Sequence, residues 1–136
     1  MYRNCLARFA ARFAPVTVKF RCGIESFDAA QRERWNKGIP QSVTAADVAR
    51  YFNGVCLLCC TTDDSPERIA ADIDTARRHF EYFSVNLFCN NGTAVKRSEE
   101  MVRWFVSELY PVLKDDPNIE VLIDNTDLGV GVFNDE

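Results

Sequence analysis

The chain reads as an α/β protein built on a parallel sheet of about four strands with covering helices. Three observations predict this. Segments of strand character alternate with segments of helical period along most of the chain. The connections between successive strand candidates are long and carry helices, which makes each one a crossover and the sheet parallel. One strand candidate, Val55-Cys56-Leu57-Leu58-Cys59-Cys60, is apolar at every position, as a strand covered on both faces should be.

Taken in order, residues 4–14 predict a helix. Cys5, Phe9 and Phe13 recur at helical spacing with Leu6 and Ala10 beside them, and Pro15 stops it. Residues 16–22 alternate: Val16, Val18, Phe20 and Cys22 share one face, and Thr17, Lys19 and Arg21 the other. That predicts the first strand, with 23–27 as the loop after it. Residues 28–35 predict a short helix capped by Asp28, broken by the Asn36–Pro40 stretch. Thr44 caps the next helix, 45–52, with Asp47 in a capping-box position and Asn53-Gly54 as its end. Residues 55–60 form the second strand.

Ser65-Pro66-Glu67 is a helix start: a cap, a proline at the first helical position and an acid in the first turn. Ile69, Ile73 and Ala76 mark the buried face of that helix. Residues 83–88 predict the third strand, and Asn90-Asn91-Gly92-Thr93 a loop. Ser98-Glu99-Glu100 opens the longest helix, whose apolar stripe is Met101, Val102, Phe105, Leu109 and Val112. Asp116-Pro117-Asn118 turns into a fourth strand, 119–123, and a polar tail follows. No composition shift marks a linker, so residues 1–136 read as one domain.

Composition narrows the function classes. The chain is 47% hydrophobic and 26% charged, ordinary for a globular protein. Its net charge of −4 repels a phosphate backbone and argues against nucleic acid as a partner. No apolar run approaches the roughly 20 residues that span a bilayer, which argues against a membrane. The first 23 residues carry Arg3, Arg8, Arg12, Lys19 and Arg21 with no acid, as a transit peptide would; the first helix of the fold is the favoured reading. Without a secretory signal the six cysteines are expected to be reduced and the protein cytoplasmic.

In a parallel α/β fold, ligands meet the C-terminal ends of strands. Those positions hold Gly23 and Glu25; Thr61, Thr62, Asp63 and Asp64; Asn86, Asn90, Asn91 and Thr93; and Asp124, Asn125, Thr126 and Asp127. Such a rim of carboxylates, amides and hydroxyls suits a polar small molecule. Strand-end loops are also polar simply because they are solvated, and both readings stand at this point. Cys56-x-x-Cys59 is half of a zinc site, but the other half is missing, and buried free cysteine is common and inert. His79, beside Arg77 and Arg78, reads as a cation at a helix C-terminus. No nucleophile elbow and no phosphate loop is present.

Four stretches together carry a resemblance: VKFRCGIESFD, VCLLCCTTDDSPERIAADI, VNLFCNNGTAVKRSEEMVRWF and NTDLGVG. Over about residues 16–131, in order and spacing, they resemble the C-terminal half of the radical S-adenosylmethionine (SAM) core domain. The resemblance implies the C-terminal part of a partial (β/α)6 TIM-like barrel. It implies SAM as cofactor, with the ribose met at Glu25 and the adjacent Ser26. It implies that the loop 60–67, with Thr61 and Thr62, supports the adenosyl group, Cys60 and Asp63 standing where the family has glycines. It implies adenine contacts in 86–93, with Asn86, Asn90 and Thr93 the candidates. Lys19 and Arg21 would face the barrel lumen, where cations meet the SAM carboxylate or an anionic substrate.

The family's CxxxCxxC loop, which holds a [4Fe–4S] cluster, is absent from this sequence. Side chains alternate along a strand, so Cys56, Cys59 and Cys60 cannot replace it. The expectation is therefore a fragment of a radical SAM barrel. The cluster and the radical chemistry it starts would belong to an intact parent, and this chain alone would be inactive. The fragment would associate with a missing N-terminal half, or with itself through open strand edges. The other reading is a stand-alone α/β module that binds a nucleotide-like ligand without redox chemistry.

Overall fold

The structure is a computed structural model, and it describes residues 5–124. The NTDLGVG stretch, with Asn125, Thr126 and Asp127, lies outside the described residues. The order is α1 (Leu6–Ala11), β1 (Arg21–Glu25), α2 (Ala29–Arg34), α3 (Ala45–Ala49), β2 (Gly54–Cys59), α4 (Pro66–His79), β3 (Tyr82–Leu87), α5 (Glu99–Trp104), a π-helical turn (Phe105–Leu109), α6 (Tyr110–Leu113) and β4 (Ile119–Leu122). The four strands form one sheet in the order β1-β2-β3-β4, all parallel, as the alternation predicts.

Register sorts the sheet into two faces. Val55, Leu57 and Cys59 stand beside Phe83, Val85 and Leu87. They pack on Ile69, Ile73 and Ala76 of α4 and on Val102, Phe105 and Leu113 of the C-terminal helical run to make the core. The opposite face carries rows that cross three strands: Cys56, Ser84 and Glu120, then Leu58, Asn86 and Leu122. Arg21, Gly54 and Tyr82 make the row at the N-terminal end. Gly54 is required there, because a Cβ would come within 2.5 Å of the Tyr82 ring.

The caps form as their residues dictate. Asp28 accepts from the Gln31 amide, Thr44 and Asp47 close a full capping box, and Ser65 accepts from the Arg68 amide. Two expectations are corrected. The first strand begins at Arg21, not Val16, and runs to Glu25. Val16 is 67% exposed, so its alternation with Val18 and Phe20 reflects a chain approaching the sheet rather than a paired strand. The stripe of the last helix ends on Leu113, not Val112: Leu113 is 1% exposed and Val112 65%. The π turn at 105–109 accommodates an extra residue just before Pro111, whose missing N–H cannot continue the ladder. The residues beyond it are thereby rotated by about one position.

Candidate functional site

The C-terminal ends of β1, β2 and β3 converge on a polar rim. Two of these ends finish in the left-handed region with a side chain in place: Glu25 at φ 67° and Cys60 at φ 67°. A β-bulge between Cys22 and Glu25 adds to the turn at the end of β1. Glu25 is half-buried, and one of its oxygens receives Lys37 Nζ at 2.7 Å. A carboxylate offers about four lone-pair directions, so Lys37 does not exhaust it.

Behind the rim lies a buried charged network. Arg68 Nη1 donates to Ser26 Oγ at 3.1 Å and to Asp72 at 2.5 Å. Arg68 Nε donates to Asp64, and Nη2 to the Leu58 carbonyl at 3.3 Å. Its guanidinium stacks 5.2 Å from the Trp35 ring centroid. Asp72 also accepts from the Phe27 amide at 2.8 Å. Thr61 Oγ1 donates to Asp63 at 2.6 Å, and Gln31 Nε2 reaches the other Asp63 oxygen at 2.9 Å. Burial raises the Asp72 carboxyl above its ordinary value. Partial burial pushes Asp63 the same way, but the bonds from Thr61 and Gln31 outweigh it and hold Asp63 below its ordinary value.

Two further arginines tie loops to strand ends. Arg32, 2% exposed, donates to the carbonyls of Ser26, Phe27, Pro40 and Val43. Arg97 donates to the carbonyls of Phe88 and Ile123, pinning the ends of β3 and β4 together. None of these arginines was singled out in the sequence. Arg68 had a readable signal: Asp72 stands four residues after it on the same face of α4, and Asp64 four residues before it, just ahead of the Ser65 cap.

The candidate residues separate into groups. Glu25, Thr62, Asn90 and Thr93 are at the rim, with the last three exposed. Asn90 Oδ1 accepts from the Arg97 amide at 3.0 Å, and Thr93 Oγ1 donates to Asn91. Ser26 and Thr61 are fully buried, and their hydroxyls serve the network behind the rim. Asn86 lies on the sheet face opposite the core, between Leu58 and Leu122, with its Oδ1 buried and without a hydrogen-bond donor. Arg21 is at the N-terminal end of the same face, roughly 13 Å along the strand from Glu25. It is paired with Glu120 at 3.1 Å and lies 5.0 Å from the Tyr82 ring centroid. Lys19 is at that end too, bonded to Glu81 at 2.6 Å. The structure does not bring these cations to the rim.

No family model and no curated protein matches this chain. A solved structure does: a queuine lyase from Clostridium spiroforme bound to SAM and queuine. The TM-score is 0.83 and the identity 29%, over 96% of this chain and 56% of that one. The likeness supports a radical SAM-like fold. The chain spans a little over half the length of this neighbour.

Among the described residues no helix is long and apolar enough to cross a membrane. Nor do three or more His, Cys, Asp or Glu side chains there come together as a metal site. The cysteines are free: Cys59 and Cys60 are buried, Cys22, Cys56 and Cys89 half-buried, and Cys5 exposed. Cys22 lines an apolar groove of about 440 Å³ with Leu6, Ile24, Ile39, Val43 and Phe52, on the helix side of β1.

Proposed function

We propose that this chain is the C-terminal part of a radical SAM partial barrel, and that its rim holds the ribose and adenine of SAM. The observation that carries this is the likeness over 96% of the chain to a protein bound to SAM. Asn86 fits the reading. Its buried Oδ1 lacks a donor, and an unmet buried acceptor is costly unless something supplies one. The amino group of adenine is a donor of the right kind. The unspent capacity of the Glu25 carboxylate suits ribose hydroxyls, and Thr62, Asn90 and Thr93 border the same opening. Ser26 and Thr61 then act as positioning residues, holding the Glu25 and Thr62 backbones through Arg68 and Asp63.

A [4Fe–4S] cluster does not fit the described residues. Cys56 faces away from Cys59 across the sheet; Cys60 alone comes beside Cys59, so among the described residues no three thiols come together. No step through a cluster is therefore assigned to this chain, and reductive cleavage of SAM belongs to a cluster held by other residues.

Calorimetric titration with SAM and with 5′-deoxyadenosine tests the reading. Both should bind, with similar affinity, because the proposed contacts lie on the adenosyl side. Asn86→Leu should weaken both about tenfold or more without lowering the stability of the free chain, since it removes an unmet buried acceptor rather than a bond. No heat and no thermal shift with either ligand would remove the rim reading. Anaerobic reconstitution with iron and sulfide adds the second arm. A stable cluster on this chain alone would contradict the assignment of the cluster elsewhere. Binding by the cluster-free chain that does not discriminate adenosine from other nucleosides would favour the stand-alone module and overturn the SAM reading.

A further inference from the structure

Cys59 and Cys60 are neighbours in sequence, and their Sγ atoms lie 3.7 Å apart. Extended neighbours point to opposite faces of a sheet and keep their side chains apart. Here Cys60 has φ 67°, and the turn out of β2 brings its thiol back toward that of Cys59. Both residues are buried, at 2% and 0% exposure. The proposed SAM contacts use neither sulfur.

We propose that Cys59 and Cys60 form an oxidation site: a vicinal dithiol, closed to solvent in the folded state, that closes to a disulfide when local opening at the end of β2 admits a two-electron oxidant such as hydrogen peroxide. One thiolate attacks a peroxide oxygen, the O–O bond breaks, and hydroxide leaves and is protonated to water. The second thiol then displaces the sulfenic oxygen as a second water, forming the S–S bond. The two sulfurs lose two electrons and the peroxide gains them. Closure shortens the sulfur separation from 3.7 Å to about 2.05 Å. Adjacent Cα atoms are only about 3.8 Å apart, below the usual disulfide span, so the ring is strained and easily reduced again.

The site is coupled to the rim through its backbone. The Cys59 carbonyl accepts from the Phe88 amide at 2.8 Å, and the Cys60 carbonyl from the Ser98 amide at 2.8 Å. Thr61 pairs with Arg97 in an isolated bridge. Twisting the 59–60 peptide into a small ring pulls on the end of β3 and on the start of α5 at once. Under the proposed function these are adenosine-side segments, so oxidation would weaken SAM binding. That consequence rests on the SAM reading; the oxidation does not.

The test uses the full chain carrying Cys5→Ser, to suppress cross-linking through the exposed thiol. After peroxide, alkylation and tryptic mass spectrometry, two alkylatable thiols should be lost. The peptide 51–68 should carry one alkyl group in place of three and be two hydrogen masses lighter than its singly alkylated dithiol form, and dithiothreitol before alkylation should restore all three. Cys56→Ser should keep the closure, and Cys59→Ala or Cys60→Ser should each abolish it. Burial raises the Cys59 thiol, so the rate should climb about tenfold per pH unit in the alkaline range as thiolate forms. Retention of the full thiol count, or a bridge involving Cys22, Cys56 or Cys89, would overturn the proposal, whatever the result with SAM.

Discussion

Asp72 and Asp63 belong to one network yet titrate in opposite directions, which gives a pH signature at single-residue resolution. Burial lifts the folded Asp72 carboxyl above its ordinary 3.8, and the bonds from Ser26, Arg68 and the Phe27 amide only partly offset it. The folded state therefore holds this proton more tightly than the unfolded state. The contribution of Asp72 is most favourable below pH 3.8 and is lost as pH rises through its folded value. Asp63 is the reverse. Its folded value is lowered, so its contribution is present above pH 3.8 and lost as pH falls through the folded value. Urea midpoints across the acid range should show this. Relative to wild type, Asp72→Asn should lose ground at low pH and recover it as pH rises past 3.8. Asp63→Asn should cost stability near neutrality and cost less in acid. Profiles parallel to wild type for both variants would contradict the network as drawn.

At the scale of elements, the last helical run offers a sharp discrimination. Phe105 is fully buried, and seven residues on, an unbroken α-helix would bury Val112. The π turn shifts burial to Leu113. Leu113→Ala should cost about 2–5 kcal/mol, as for a buried leucine. Val112→Ala should stay within about 0.5 kcal/mol. Chemical denaturation of the two variants measures this, and the opposite order would mean a regular helix. The same element shows what was legible in sequence. Helix starts with Ser, Thr or Asp caps were readable because capping is local chemistry, and the sheet order followed from crossovers. The π turn was not, because periodicity assumes a constant rotation per residue. The β1 boundary was not legible because Val16, Val18 and Phe20 alternate without a neighbouring strand to pair with. At the site, the rim positions of Glu25, Thr62, Asn90 and Thr93 followed from topology. The burial of Ser26 and Thr61 did not, because it depends on Arg68 arriving from a helix 42 residues away in the chain from Ser26.

For the whole molecule, the sheet topology leaves β1 and β4 as edges among the described residues. Parallel sheets in α/β proteins are normally covered on both faces and embedded at their edges. Here β1 has β2 on one side, an unpaired ladder edge on the other, and the apolar groove of Leu6, Cys22, Ile24 and Ile39 along its helix side. An open edge beside apolar surface is a template for another chain. With no other chain supplied, the partner available to this edge is a second copy. Sedimentation velocity should therefore show association that grows with concentration. Cys22→Lys places a charge at the edge, where the long stem can lie along the groove while the ammonium reaches water. It should shift the distribution toward monomer, in the way lysine protects natural edge strands. A single monomeric species at all concentrations would show that this edge is already protected.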